Sequence, residues 1–251
     1  MSIPVGNKVS ILPAGLALAA GRINDIELKG TSGINPVVGA ALETICTQGG
    51  IRNLLSSAEI LKIKSSSTSD ANSGSAHARR VKIKGIAADG TVLEENVNLN
   101  GTTAVVTQAA FLHVNDVFVN KVGGGSNFNV GTISVSNNAD DVVLYEIKPG
   151  EMQQQSATFT IPTAHFGYMT SFVATATGSC QMSVWVNKQP AVSGAFKQVL
   201  TTIASAGAPV TYNLPNPFQI PGGGIVEFRA KSLTGGNVIA AADFQLLIEK
   251  E

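Results

Sequence analysis

Three histidines, two cysteines and a scatter of carboxylates are the residues of this chain with chemical potential, and their spacing argues against most chemistry. His77, His113 and His165 stand far from one another and from acidic partners in sequence. Neither a general base with its orienting carboxylate nor a metal-ligand cluster is therefore written into the chain. His113 lies in FLHVNDV, where strand alternation predicts a surface or half-buried position. Cys46 and Cys180 lack a Cys-x-x-Cys spacing and a Cys/His neighbourhood. They are expected as small apolar side chains in or near strands, in preference to a disulfide.

The acidic pairs fare no better. Glu94 and Glu95 are adjacent in a strand, so they point to opposite faces and cannot share a proton as glycosidase carboxylates do. Asp140-Asp141 follows Asn137-Asn138 and could offer oxygens to calcium, but the regular twelve-residue loop of alternating acids is absent. A hydrophilic turn is the preferred reading. Gly123-Gly124-Gly125-Ser126 lacks the following Lys-Ser/Thr of a phosphate loop and leads into a strand, as does Gly222-Gly223-Gly224. Arg79, Arg80, Lys82 and Lys84 form the densest basic stretch, with Arg80, Lys82 and Lys84 on one strand face. Without interleaved aromatics this reads as a solvated face and not as a nucleic-acid surface. Asn100-Gly101-Thr102 matches a glycosylation acceptor, yet no secretory signal accompanies it. Aromatics are 6% of the chain, with the single tryptophan at 185, so a sugar platform of stacked rings is poorly stocked. No catalytic, cofactor-binding or metal-binding residue is assigned, no cofactor is expected, and the chain is read as no enzyme.

The elements that would carry these residues are strands. Of 251 residues, 26 are glycine, and Thr, Val, Ser and Asn abound. Segments 59–64 (EILKIK), 80–84 (RVKIK) and 92–99 (VLEENVNL) alternate with period two, and Asp89-Gly90 between the last two signals a two-residue hairpin. Further strands are expected at 111–119, 129–135, 142–147, 156–161, 168–176, 180–186, 196–203, 210–214, 224–230 and 242–248. Turn residues separate nearly all of them, a spacing typical of sandwiches and barrels. The expected fold class is all-β, with two consecutive antiparallel β-sandwich or jelly-roll-like domains at 38–149 and 150–251. Residues 1–37 are read as an irregular arm holding one strand (23–29), able to lie on a neighbouring copy. Residues 51–58 are the one place for a helical turn. The small polar run 65–76 (SSSTSDANSGSA) is expected to be a mobile surface loop.

Charge sets the partner class. Lys plus Arg and Asp plus Glu are 17 each, for no net charge, and charged residues are only 14%. Such a surface attracts neither phosphate backbones nor anionic lipid, and it resists contact between copies poorly. No apolar run approaches the roughly 20 residues of a membrane span. Synthesis in a cytoplasm, with neither membrane nor nucleic acid as partner, is expected.

At the level of motifs, Gln48-Gly49-Gly50, 56–105 (SSAEILKIKSSSTSDANSGSAHARRVKIKGIAADGTVLEENVNLNGTTAV) and 129–135 (NVGTISV) carry a similarity: residues 43–251 resemble virion structural proteins of tailed bacteriophages, capsid decoration-like and of the kind frequent in marine phages. The similarity continues through 150–170 (GEMQQQSATFTIPTAHFGYMT) and the closing PFQIPGGGIVEFRAKS and DFQLLIEKE. Ala76-His77-Ala78-Arg79 departs from the commoner Gly-Thr-Gly-Ala-Arg. The resemblance implies a two-domain β architecture and membership of a particle, and it brings no catalytic residue with it. The expectation is a capsid decoration or cement protein on the virion surface, its partners being the major capsid protein, other virion proteins and further copies of itself. The alternative is a head-fibre or tail component that binds a host receptor or glycan, for which loops 65–76 and 187–196 offer themselves; a glycan partner stays open but unsupported.

Overall fold

A computed structural model describes residues 3–5, 8–10, 17–18, 23–125, 127–190 and 194–251. Most of residues 1–22, Ser126 and part of the loop 187–196 therefore lie outside the described residues. Among those described the fold is all-β and α-helix is confined to Ala17 and Leu18. No helix among them is long and apolar enough to cross a membrane.

Every pairing between named strands is antiparallel. β1 (Ile3–Val5) and β2 (Lys8–Ser10) pair with each other. One four-stranded sheet runs β11 (Val143–Ile147), β10 (Ile133–Ser136), β5 (Lys62–Ser65), β8 (Val105–Val106). A three-stranded sheet runs β7 (Val92–Asn98), β6 (Ala78–Ile86), β9 (His113–Val122). A third sheet runs β12 (Thr158–Thr160), β18 (Ile225–Ser232), β14 (Cys180–Asn187), β15 (Lys197–Ala204), with β4 (Glu43–Thr44) also on β18. The fourth runs β16 (Val210–Asn213), β13 (His165–Ala176), β19 (Val238–Lys250), β3 (Ile26–Val38), with β17 (Gln219–Ile220) also on β13.

Period-two patterning decides which faces are buried. On β6, Val81 and Ile83 are fully buried while Lys82 and Lys84 look outward. On β19, Ala240, Ala242, Phe244, Leu246 and Ile248 are buried in strict alternation. Two apolar clusters result. Residues of β5, β10 and β11 meet residues of β6, β7 and β9 around Phe111, Tyr145 and Ile63. Residues of β13 and β19 meet residues of β14 and β18 around Phe172, Phe228 and Phe244, whose rings lie 5.1 and 5.6 Å apart in sequence along the chain of contacts. Each large side chain so buried contributes about 1.5–3 kcal/mol.

Several expectations change. The stretch 1–37 is not an irregular arm throughout: β3 pairs with β19 from Ile26↔Glu249 to Val38↔Val238. Its glycines and Pro36 resemble turn residues, but Gly33 serves close packing, since a Cβ there would sit 2.2 Å from the Ala157 nitrogen. The 51–58 stretch forms no helix, because Arg52 and Asn53 reach across to other segments; Asn53 Nδ2 donates to the Val143 carbonyl at 3.1 Å. The β6–β7 turn has three loop residues, not two: Ala87 N bonds to Thr91 O, and Gly90, at φ 81°, closes a type I turn.

The polar run 65–76 is tied down by Asp70. Its carboxylate is fully buried and accepts from Val130 N (3.0 Å), Gly131 N (2.8 Å) and Ser65 Oγ (2.7 Å). Asn72 N adds a bond to the Leu99 carbonyl. A low-complexity composition hid a buried charge with a full set of donors.

Candidate functional site

The most elaborate polar constellation joins the β5–β11 segment to the β12–β19 segment. It starts from an irregularity. Between Lys84↔Asp116 and Gly85↔Val114 the β6–β9 register shifts, leaving Asn115 as the extra residue of a β-bulge. The bulge turns the Val114 carbonyl out of the ladder, where Arg52 Nη2 and Tyr145 Oη both donate to it at 2.8 Å. Arg52 Nη1 donates to Thr158 Oγ1 at 2.7 Å, and its guanidinium lies 4.9 Å over the Tyr145 ring. Asn115 itself copies a strand partner: it accepts from Thr160 N (2.8 Å) and donates to Thr160 O (2.9 Å). Nearby, the tip of the β6–β7 hairpin docks on the same segment, with Thr163 N donating to Gly90 O at 2.8 Å.

Beside this joint opens a cleft of about 530 Å³. One wall carries Lys84, Glu94 and Asp116 from β6, β7 and β9; the other carries Glu27, Lys29 and Thr31 from β3. Phe159, Pro162 and Ile248 supply apolar surface, and His165 stands at its lining with Nδ1 3.0 Å from the Thr163 carbonyl. Lys84 faces Glu94 on one neighbouring strand and Asp116 on the other. Partial burial pushes the Asp116 carboxyl above its usual range, with Lys84 and then Lys29 drawing it back. Glu94 is held below its usual range chiefly by the hydrogen bond from Lys82, 2.5 Å away.

The residues singled out from sequence mostly serve structure. His113 is buried, 8% exposed, deeper than the surface or half-buried position expected: it pairs with Ile86 while Val114 pairs with Gly85, and all four are buried, so both faces of the sheet are covered at this end. Burial, aided by the Arg52 cation, lowers its pKa to about 4. His77 packs against Phe128, with ring centroids 6.1 Å apart. Glu94 and Glu95 do lie on opposite faces: Glu94 meets Lys82 and Lys84, while Glu95 accepts from Gln108 N and Ala109 N. Asp140, at φ 63°, bonds Lys64 and Ser136, and Asp141 bonds Asn137, as a hydrophilic turn would. Gly123 is packed against the Ser75 carbonyl, 2.0 Å from where its Cβ would be.

The basic row is divided among partners. Arg79 donates to the Ser75 carbonyl, Arg80 to Asn120, and Lys82 and Lys84 to Glu94. Gly223, at φ 76°, makes a turn before β18. Asn100 bridges Ala71 and Thr103. Trp185 donates to Ser183 and stacks on Arg229, 4.8 Å from the ring centre. Both cysteines are free thiols and buried, and burial raises Cys46 to about 11. Among the described residues no group of three or more His, Cys, Asp or Glu side chains could hold a metal ion. Arg52, Asn115, Asp116 and Gln154, central to joint and cleft, had no signal in sequence, since a bulge leaves no period to detect.

No protein-family model matches this chain, and no curated protein does. Among solved structures, one of the infectious bursal disease virus Gx strain aligns at 10% identity over 89% of this chain and 76% of that chain, with a TM-score of 0.23. One of the Gt strain aligns at 11% identity over 90% and 77%, with a TM-score of 0.18. The VP2 subviral particle of that virus aligns at 8% identity over 90% and 77%, with a TM-score of 0.16.

Proposed function

We propose that this chain is a non-enzymatic structural protein of a phage virion, acting as a capsid decoration or cement protein that clamps neighbouring capsid subunits. Its partners in this reading are the major capsid protein, other virion proteins and further copies of itself. The four main sheets are read as two β-sandwich domains of jelly-roll type, with β3 and β4 completing the second.

The observation that carries the proposal is where the resembling motifs place their polar groups. Asp70, Asn100, Gly90 and Gly101 lie in the stretches similar to phage virion proteins, and each serves a turn or a buried hydrogen bond. Arg52 and Thr158 tie the two halves in the same way. Motifs of this kind build a stiff body that resists load, and interfaces repeated over many sites gain strength by avidity. A surface without net charge opposes such contact little.

The test is to locate the protein in purified particles by mass spectrometry and image reconstruction. The expected result is a fixed stoichiometry to the major capsid protein and density on the outer shell. Particles that assemble with the gene expressed but contain none of the protein would sink the proposal, and density confined to the tail would favour the receptor-binding alternative.

A further inference from the structure

A sheet edge with unpaired backbone groups invites another strand, and most edges of this molecule are guarded. At the β11 edge, Asn53 Nδ2 donates to the Val143 carbonyl at 3.1 Å and Gln48 Nε2 to the Leu144 carbonyl at 2.6 Å. At the β9 edge, Val119 N donates to Met152 O, and Val117 O accepts from Gln154 N. β3 carries Glu27, Lys29 and Pro36, and β7 carries Glu94 and Glu95. The edges β16, β12 and β8 are only four, three and two residues long.

β15 has little of this protection. It ends the order β12-β18-β14-β15 and is eight residues long. After Lys197, residues 198–204 (QVLTTIA) include no charge, proline or glycine, a composition that favours strand pairing. A bulge opposite Trp185 disturbs only its start, and from Val184↔Leu200 to Cys180↔Ala204 the ladder is regular. Among the described residues no backbone hydrogen bond reaches β15 from outside its own sheet.

Its side chains fit a copy of themselves. Val199, Thr201 and Ile203 alternate along the strand and are exposed, Val199 by 41% and Ile203 by 59%. Antiparallel pairing centred on Thr201 sets that threonine against its own copy, with Val199 against Ile203 on either side. Thr–Thr pairs across strands are favourable, and the flanking pairs remove apolar surface from water. The same register keeps the two Lys197 side chains roughly 26 Å apart, where salt screens their repulsion.

We infer that β15 is a strand-addition edge for a second copy of this chain. Two copies pair β15 to β15 about a two-fold axis at Thr201, which joins their β12-β18-β14-β15 sheets into one. This gives a place to the contact between copies in the virion reading, yet each fails separately. A chain absent from particles can still pair, and a particle protein can still be monomeric in solution.

Sedimentation velocity on the full chain over a roughly thousandfold concentration range tests it. An interface one strand wide is small, so the dimer is expected to be weak and to grow with concentration. Thr201→Lys sets like charges opposite each other at the axis. It should weaken association by about tenfold or more with the melting temperature retained. Should that variant fail to fold, Ile203→Lys, at the more exposed flanking position, decides. Thr201→Cys should cross-link to its copy through a short bis-maleimide, since opposite Cβ atoms lie about 5 Å apart, whereas Lys197→Cys should not. Cys46 and Cys180 are buried and do not compete. A monomer at every concentration, a dimer unchanged in every folded lysine variant, or equal cross-linking at 197 and 201 overturns the proposal.

Discussion

Arg52 and Tyr145 converge on one acceptor: each donates to the Val114 carbonyl at 2.8 Å, and the guanidinium lies 4.9 Å above the ring. Both side chains are buried, and Arg52 also holds Thr158 across the joint. A buried cation that loses its setting is expensive, but a buried setting that loses its cation is also left with unpaired acceptors.

Arg52→Met should therefore destabilise the protein by about 2–4 kcal/mol in urea unfolding, whereas Tyr145→Phe, which leaves the guanidinium in place, should lower stability by about 1 kcal/mol. Equal effects would mean that the cation contributes nothing beyond the phenol.

Gly90 distinguishes backbone strain from docking. It sits at φ 81°, and a Cβ there would lie 1.6 Å from Thr163 Oγ1. Gly150 has the same φ with open space around it. Gly150→Ala should lower stability by about 1–2 kcal/mol through the left-handed backbone alone. Gly90→Ala should lower it further, by about 1–3 kcal/mol more, through overpacking. Differential scanning fluorimetry of the pair reads the difference, which Thr163→Gly should reduce.

Asp70→Asn tests the buried carboxylate under the polar run. Asparagine would aim an N–H at one of the donors that Asp70 now accepts. A loss of about 1–3 kcal/mol is expected, with faster protease cleavage within 65–76 and no change elsewhere. Unchanged cleavage would show that the carboxylate does not hold this segment.

His113 links stability to acidity. Its pKa falls from 6.5 to about 4 on folding. Between those values the unfolded chain binds a proton that the folded one does not, so stability declines as pH falls from about 6.5 and levels off below about 4. The total is on the order of 3 kcal/mol, and His113→Gln should remove this component. The measurement is denaturation midpoint against pH for both proteins; parallel curves would contradict it.

Strands such as β6 and β19 were legible because one face is buried and the other wet, which writes period two into the residues. β3 was only partly legible: it is an edge with glycine at 30 and 33 and proline at 36, residues that also serve turns. The bulge at Asn115 was invisible, because the partner strand decides where register slips. With it went the joint built on Asn115 and the Val114 carbonyl. Asp70 was hidden for another reason: its partners are backbone amides 60 residues away, and an amide has no sequence signature.

β3 and β4 lie early in the chain but pair with β19 and β18 near its end. The segment carrying β5 to β11 is thus enclosed between two parts of one sheet system, like a clause in parentheses. A single protease nick at the 148–151 turn would not release it, since the front fragment keeps β3 zipped along β19. Two nicked pieces should co-migrate on a native gel and part only in denaturant. During synthesis, the same topology leaves β3 waiting for its neighbour until the last strand emerges.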